Sequence, residues 1–159
     1  MLNLVQHLTK SRTCKTLKQV QGDKSGLFTK PIPMIDKAKE WIRQAEYDMD
    51  TAELMFSGGR YLYAVFMCHL SIEKALKGLY YRRLGQVPPK VHNLVYLLNK
   101  IGAKPPGPIA RFMVKLNEAS VATRYPENLN KLQKDYTKSV TKDIMERSKE
   151  VLVWIKMEL

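Results

Sequence analysis

From Met34 onward, apolar residues recur every three or four positions in one segment after another. In the first segment the opposite positions carry mostly charged residues, which is the pattern of an amphipathic helix. Ser57-Gly58-Gly59 follows and ends that helix, because glycine readily adopts the left-handed conformation of a helix C-terminus. The apolar stripe consists of Ile35, Ala38, Trp41, Ile42, Ala45, Met49, Ala52 and Met55.

Further segments with the same periodicity follow, and none shows the alternation of a β-strand. The second helix ends at Gly85, and Pro88-Pro89 forces a turn before a short third helix. Pro108 suits the first position of the fourth helix, whereas residues 121–134 lack clear periodicity. The predicted helices cover residues 34–57, 61–84, 92–101, 109–119 and 137–159. They predict an all-α fold, an antiparallel four-helix up-and-down bundle with an added short helix.

The first 33 residues differ from the rest of the chain. They carry six Lys and Arg residues against the single acid Asp23, show little periodicity, and end at Pro31 and Pro33. We therefore expect residues 1–33 to be a poorly ordered basic tail and residues 34–159 to be the helical domain. The tail could grip nucleic acid or be solvated, and Met34 could be an alternative start of the protein.

The net charge of the chain is +12, from 27 basic and 15 acidic residues. Such an excess favours anionic partners such as nucleotides or RNA, although a mildly basic solvated surface would have the same composition. The two cysteines, Cys14 and Cys68, form neither a disulfide framework nor a zinc motif. No apolar run reaches the length of a membrane span. We expect a cytoplasmic protein without metal or cofactor.

Four motifs in order resemble the HEPN family, the higher-eukaryote and prokaryote nucleotide-binding domain. The second helix has an aromatic-rich first half that leads into a Glu-Lys-Ala-Leu-Lys core at 73–77. The third begins with Val91-His92-Asn93-Leu94, and the fourth is followed by Arg124-Tyr125-Pro126-Glu127. The first helix fits as well, with Trp41 and Asp48 ahead of a Gly-Arg-Tyr turn. The resemblance covers residues 34–159 and leaves the tail outside.

This resemblance implies a helical bundle that is commonly a homodimer and is often encoded beside a minimal nucleotidyltransferase in a two-component, toxin–antitoxin-like system. Some family members are metal-independent ribonucleases with an Arg, four to six residues and a His near the end of the fourth helix. Arg124 lies in that region, but no histidine follows it, since the chain contains only His7, His69 and His92. We therefore expect no ribonuclease activity by the family route.

The candidate residues for binding a nucleotide or RNA are basic side chains of the second helix and of the family motifs. They are Lys74, Lys77, Arg83, His92 and Arg124, with Tyr81 or Tyr125 as stacking partners for a base. Glu73 is expected to have a structural role, paired with Lys77 one turn on or with an arginine. His69 and Cys68 are expected in the core, and His92 could cap or pack rather than bind a ligand.

The sequence thus predicts a non-catalytic HEPN protein that binds a nucleotide or RNA and a nucleotidyltransferase partner. One alternative is a ribonuclease toxin with a divergent active site, which would use Arg124. The other is a structural module that binds proteins only.

Overall fold

The computed structural model describes residues 34–125 and 127–159. Six helices and no strand occur in these residues: α1 (Met34–Ser57), α2 (Tyr61–Leu84), α3 (Leu94–Ile101), α4 (Gly107–Arg124), α5 (Leu129–Asp135) and α6 (Lys138–Met157). The four long helices form the predicted all-α bundle. The predicted tail, residues 1–33, lies outside the described residues.

The first two helices form a hairpin whose turn contains Gly59, with a φ of 71° that favours glycine. Two contacts further along fix how α1 and α2 pack. The Ser71 hydroxyl donates a hydrogen bond of 2.7 Å to the buried main-chain oxygen of Ala45. At Gly78 the helices approach so closely that an added Cβ would lie 3.1 Å from the Cβ of Trp41.

Helix α2 is the centre of the bundle, because it contacts each of the other five helices in the described residues. Most of its length is buried, including the polar residues His69, Ser71, Glu73 and Lys77. Ile72, Leu76 and Leu79 of this helix are fully buried, and burial of such a side chain contributes about 1.5–3 kcal/mol to stability.

The short helix α3 begins two residues later than predicted, at Leu94 rather than His92. The reason is Asn93, whose side-chain oxygen accepts a 2.9 Å hydrogen bond from the Tyr96 amide and so caps the helix. His92 therefore precedes the helix. A contact with α4 also orients α3, since the Asn117 side chain of α4 accepts a 2.9 Å hydrogen bond from the Leu94 amide.

Two features later in the chain also differ from the prediction, the end of α4 and an additional helix after it. Helix α4 continues to Arg124 rather than ending near Ala119. A seven-residue helix, α5, follows it where the periodicity is unclear, so that the described residues contain two short helices instead of one. Asn128 caps α5 and Thr137 caps α6, each through its side-chain oxygen.

Candidate functional site

A buried carboxylate lies at the centre of the candidate site. Glu73, in the middle of α2, is only 3% exposed. One turn on, Lys77 places its Nζ 2.7 Å from Glu73 Oε1, and its own side chain is only 11% exposed. Of the two partners considered for Glu73, Lys77 or an arginine, the structure shows Lys77. Its burial matters, because a buried charge without a partner is strongly destabilising.

His92 binds the same carboxylate from the loop before α3. Its Nδ1 lies 3.1 Å from Oε1 and 3.0 Å from Oε2 of Glu73. The His92 side chain remains 62% exposed, so that the imidazole joins the buried carboxylate to the protein surface. Because Nδ1 is engaged by Glu73, Nε2 is the nitrogen available to a partner in solution.

His69 lies on the buried side of the same carboxylate, one turn before Glu73. It is 0% exposed, its Nδ1 is 4.0 Å from Glu73 Oε2, and neither ring nitrogen has a hydrogen-bonding partner in the described chain. Burial lowers the pKa of the imidazole from 6.5 to about 4, against the opposing charge of Glu73. The charges of Arg124 and His92 lower this pKa further. His69 is therefore a neutral core residue at pH 7.

Arg124 reaches this region from the last turn of α4. Its Nε donates a 3.2 Å hydrogen bond to the Ser120 main-chain oxygen, and its guanidinium lies over the Phe66 ring, 5.4 Å from the centroid. Since Phe66 is three residues before His69 on α2, the arginine lies over the same part of that helix. We call Glu73, Lys77, His69, His92 and Arg124 the Glu73 cluster. Helix α2, the loop before α3 and the end of α4 all contribute to it.

The other two predicted binding residues lie elsewhere on α2. The Nζ of Lys74 is 2.7 Å from Asp48 Oδ2 on α1, and Arg83 forms an ion pair with Glu158 near the C-terminus. Each cation therefore has a carboxylate partner within the protein. The structure brings together Lys77, His92 and Arg124, and does not bring Lys74 or Arg83 to them.

The two tyrosines proposed for stacking differ in accessibility. Tyr81 is only 8% exposed, which leaves little of its ring for a base. Tyr125, next to Arg124, is 77% exposed. Of the two, Tyr125 alone presents its ring to solvent beside the Glu73 cluster.

A model of the HEPN domain matches residues 38–158, about three quarters of the chain. The chain belongs to the HEPN family. The predicted resemblance is thereby confirmed.

Two solved structures resemble this HEPN domain. The crystal structure of TT1696 from Thermus thermophilus has a TM-score of 0.65 and 23% identity over 77% of this chain and 98% of that chain. ST0689, an archaeal HEPN homologue, has a TM-score of 0.61 and 27% identity over 76% of this chain and 95% of that chain. No curated protein matches the chain.

The HEPN sequence motifs alone do not reveal the contact between Glu73 and His92. These residues lie 19 positions apart, on either side of the Pro88-Pro89 turn, and meet only when α3 packs on α2. The sequence signal that could have predicted this contact is an acidic residue on a buried helix face together with a histidine just before the next helix. The stacking of Arg124 on Phe66 gives no comparable signal, because both residue types are also common on unrelated surfaces.

Several other features bear on what this HEPN domain can do. Burial raises the pKa of the Cys68 thiol to about 12, so that the thiol is protonated and unreactive at neutral pH. Among the described side chains, no group of three His, Cys, Asp or Glu residues could hold a metal ion. No helix in the described part of the chain is long and apolar enough to cross a membrane.

Proposed function

We propose that this HEPN protein binds a phosphate-bearing ligand, a nucleotide or RNA, at the exposed side of the Glu73 cluster. Arg124 and His92 contact the ligand, and Lys77 and Glu73 hold His92 in place. The observation that carries the proposal is the convergence of α2, the loop before α3 and the end of α4 on this cluster, which gathers three of the five predicted binding residues.

The hydrogen-bonding capacity of Arg124 supports a phosphate ligand. Its guanidinium offers five N–H donors, and its hydrogen bonds in the described chain go only to Ser120. No carboxylate of the described residues forms an ion pair with it, in contrast to Arg83. An arginine held by stacking on Phe66, with donors to spare, suits bidentate binding of a phosphate.

His92 adds a second contact of suitable chemistry. Glu73 accepts a hydrogen bond from Nδ1, which fixes the ring and leaves Nε2 for a ligand, as a donor when the ring is protonated. Lys77 is too buried to contact a ligand well, and it balances the charge of Glu73 instead. Tyr125 completes the proposed site as a stacking surface for a base.

We infer binding rather than cleavage because the family's Arg-x4-6-His motif is incomplete. Cleavage of RNA by that route needs a histidine to move the proton of a ribose 2′-hydroxyl. No histidine follows Arg124, and His69 is buried and neutral. The nearest exposed histidine, His92, already engages Glu73 through one ring nitrogen.

Family membership supports a proposal for the partners of this protein. We propose that the protein forms a homodimer in the cytoplasm and acts with a minimal nucleotidyltransferase in a toxin–antitoxin-like system. Purification of the tagged full-length protein from its native cells, with bound proteins identified by mass spectrometry, tests this part. Recovery of a nucleotidyltransferase is expected, and its absence at native expression levels argues against the two-component role.

Fluorescence anisotropy of the full-length protein with a labelled single-stranded RNA and with labelled ATP tests the site. Arg124→Ala is expected to weaken binding about tenfold or more, because it removes a charge-assisted hydrogen bond. His92→Ala is expected to weaken binding less. Arg83→Ala is the matched control, since it removes an arginine that is already paired with Glu158. Equal losses in Arg124→Ala and Arg83→Ala contradict the proposed site.

The same samples separate the alternatives. RNA that is shortened by the wild-type protein but intact with Arg124→Ala points to a ribonuclease with a divergent site, in which His92 held by Glu73 is the available base. Absence of binding to both probes, in a protein that still recovers a protein partner, points to a structural interaction module.

A further inference from the structure

A stretch of 33 residues in this protein contains no acidic residue. Residues 85–117 begin directly after α2 and include all of α3 and the first half of α4, with five basic residues: Lys90, Lys100, Lys104, Arg111 and Lys115. By contrast, α1 carries six acidic and three basic residues. We call residues 85–117 the acid-free stretch. Charge is thus distributed very unevenly along the chain.

The cations of the acid-free stretch are free to meet a partner. All five are exposed, and none forms an ion pair with another described residue. The basic residues of α6 behave differently, because four of them are within 4.0 Å of a carboxylate. Those four are Lys142, Arg147, Lys149 and Lys156. A cation without an internal carboxylate partner can bind an external anion without breaking an ion pair within the protein.

The packing keeps the acidic helix away from this stretch. Ser71 and Gly78 face α1, and they are seven residues apart on α2, about two turns. Glu73, which faces His92, is two residues from Ser71 and so points about 200° away around the helix, at roughly 100° per residue. Helix α1 and the start of α3 therefore pack on opposite sides of α2. The acids of α1 do not neutralise the acid-free stretch.

The acid-free stretch is continuous with the proposed ligand site. His92 lies within it, and Asn117, its last residue, binds the first amide of α3. Along α4, Arg111 and Arg124 are 13 residues apart, or about 20 Å at 1.5 Å per residue, with one exposed acid, Glu118, between them. A single nucleotide does not extend over that length, whereas a polynucleotide presents a phosphate at every residue.

We propose that the acid-free stretch is a binding track for single-stranded RNA, which extends from the Glu73 cluster along α3 and the first half of α4. The placement of one end of the RNA at the Glu73 cluster rests on the function proposed above. Tyr96 favours a single strand over a duplex, because it is 40% exposed and Lys100 Nζ lies over one face of its ring, 5.6 Å from the centroid, which leaves the exposed part of the ring for a base. Aromatic rings interleaved with cations are the usual surface for unpaired bases.

The salt dependence of RNA binding tests the track, because each phosphate contact contributes to the slope of log affinity against log salt. The variant carries Lys100→Gln, Lys104→Gln, Arg111→Gln and Lys115→Gln. The matched control carries Lys142→Gln, Arg147→Gln, Lys149→Gln and Lys156→Gln, which removes the same charge from paired positions of α6. Both are made in the full-length protein, and circular dichroism verifies that each one folds.

The probe is a fluorescein-labelled single-stranded oligouridylate of about 20 nucleotides, titrated at roughly 50 to 300 mM KCl. The track variant is expected to reduce the slope by up to about 3, since a single-strand contact contributes about 0.7. The control is expected to keep the wild-type slope. Equal slopes for the two variants overturn the track. Stronger competition by polyglutamate than by unlabelled oligouridylate also overturns it, because it identifies an acidic protein as the partner.

Failure of the track is distinguishable from failure of the ligand site. If the track variant keeps the wild-type salt dependence of RNA binding while Arg124→Ala still weakens the binding of labelled ATP, the track is wrong and the proposed ligand site stands. If Arg124→Ala leaves both probes unaffected while the track variant lowers the slope, the track does not begin at the Glu73 cluster.

Discussion

Acidification should destabilise this protein through His69. The imidazole is fully buried, and neither ring nitrogen has a hydrogen-bonding partner in the described chain. Burial is the main reason that its pKa falls from 6.5 to about 4, and the charges of Arg124 and His92 act in the same direction. In the unfolded chain the imidazole is hydrated and regains its ordinary pKa.

The difference between the two pKa values determines the sign and the size of the effect. Between pH 6.5 and pH 4 the unfolded chain binds a proton at His69 and the folded protein does not, so that the free energy of unfolding falls as the pH falls. The loss is about 1.4 kcal/mol at pH 5.5 and about 3 kcal/mol at pH 4, from about 1.4 kcal/mol per pKa unit. Above pH 6.5 His69 contributes no pH dependence.

Urea unfolding of the wild-type protein and of His69→Leu, measured from pH 7 to pH 4, isolates this contribution. Leucine is apolar and similar in volume, so that it removes the titrating group while it keeps the site filled. Carboxylates elsewhere titrate in both proteins and cancel in the difference between them. On acidification from pH 7 to pH 4, the free energy of unfolding of the wild-type protein should fall by about 3 kcal/mol more than that of His69→Leu. Parallel stability curves would refute the reasoning and mean that water reaches the imidazole in the folded protein.

Three further changes test the packing around the site. Glu73→Ala should cost about 3–5 kcal/mol in urea unfolding because it leaves Lys77 charged and buried, and Glu73→Leu combined with Lys77→Met should recover most of that loss; equal losses in both proteins contradict the pairing. Gly78→Ala should cost about 1–3 kcal/mol in thermal unfolding, since its Cβ would lie 3.2 Å from the Ala38 carbonyl oxygen. Its control is Gly107→Ala, whose methyl would meet only the end of the Arg111 side chain and should change stability by less than about 0.5 kcal/mol. Asn117→Ala should cost about 1 kcal/mol and speed hydrogen exchange at the Leu94 amide, and unchanged exchange there would show that α4 does not hold the start of α3.

The long helices could be predicted because their signals are local. The stripe of α2 and the stop at Gly85 reproduce its bounds, Tyr61–Leu84. Helix α5 could not be predicted, since seven residues provide only two turns and none of its side chains is buried. The predicted start of α3, His92, was wrong by two residues. Both His92 and Asn93 can precede a helix, and only the tertiary contact of His92 with Glu73 shows that Asn93 is the cap.

The candidate site was predictable to the extent that its contacts are local. Lys77 is one turn from Glu73, and that spacing alone indicates an ion pair. The partners of Lys74 and Arg83 are 26 and 75 residues away, so that nothing in the sequence near these cations indicates they are neutralised. The sequence therefore does not indicate that tertiary ion pairs hold these two residues apart from the other three candidates.

The two contacts between α1 and α2 also limit how this protein can respond to a ligand. The hydrogen bond from Ser71 to Ala45 opposes sliding of α1 along its neighbour, and the absent side chain at Gly78 lets the backbones interlock about 10 Å further on. A helix held at two points can neither slip by a turn nor roll about its axis without breaking one of them. We therefore expect a shift that a ligand causes at His92 or Arg124 to displace α3 and α4 relative to the α1–α2 hairpin.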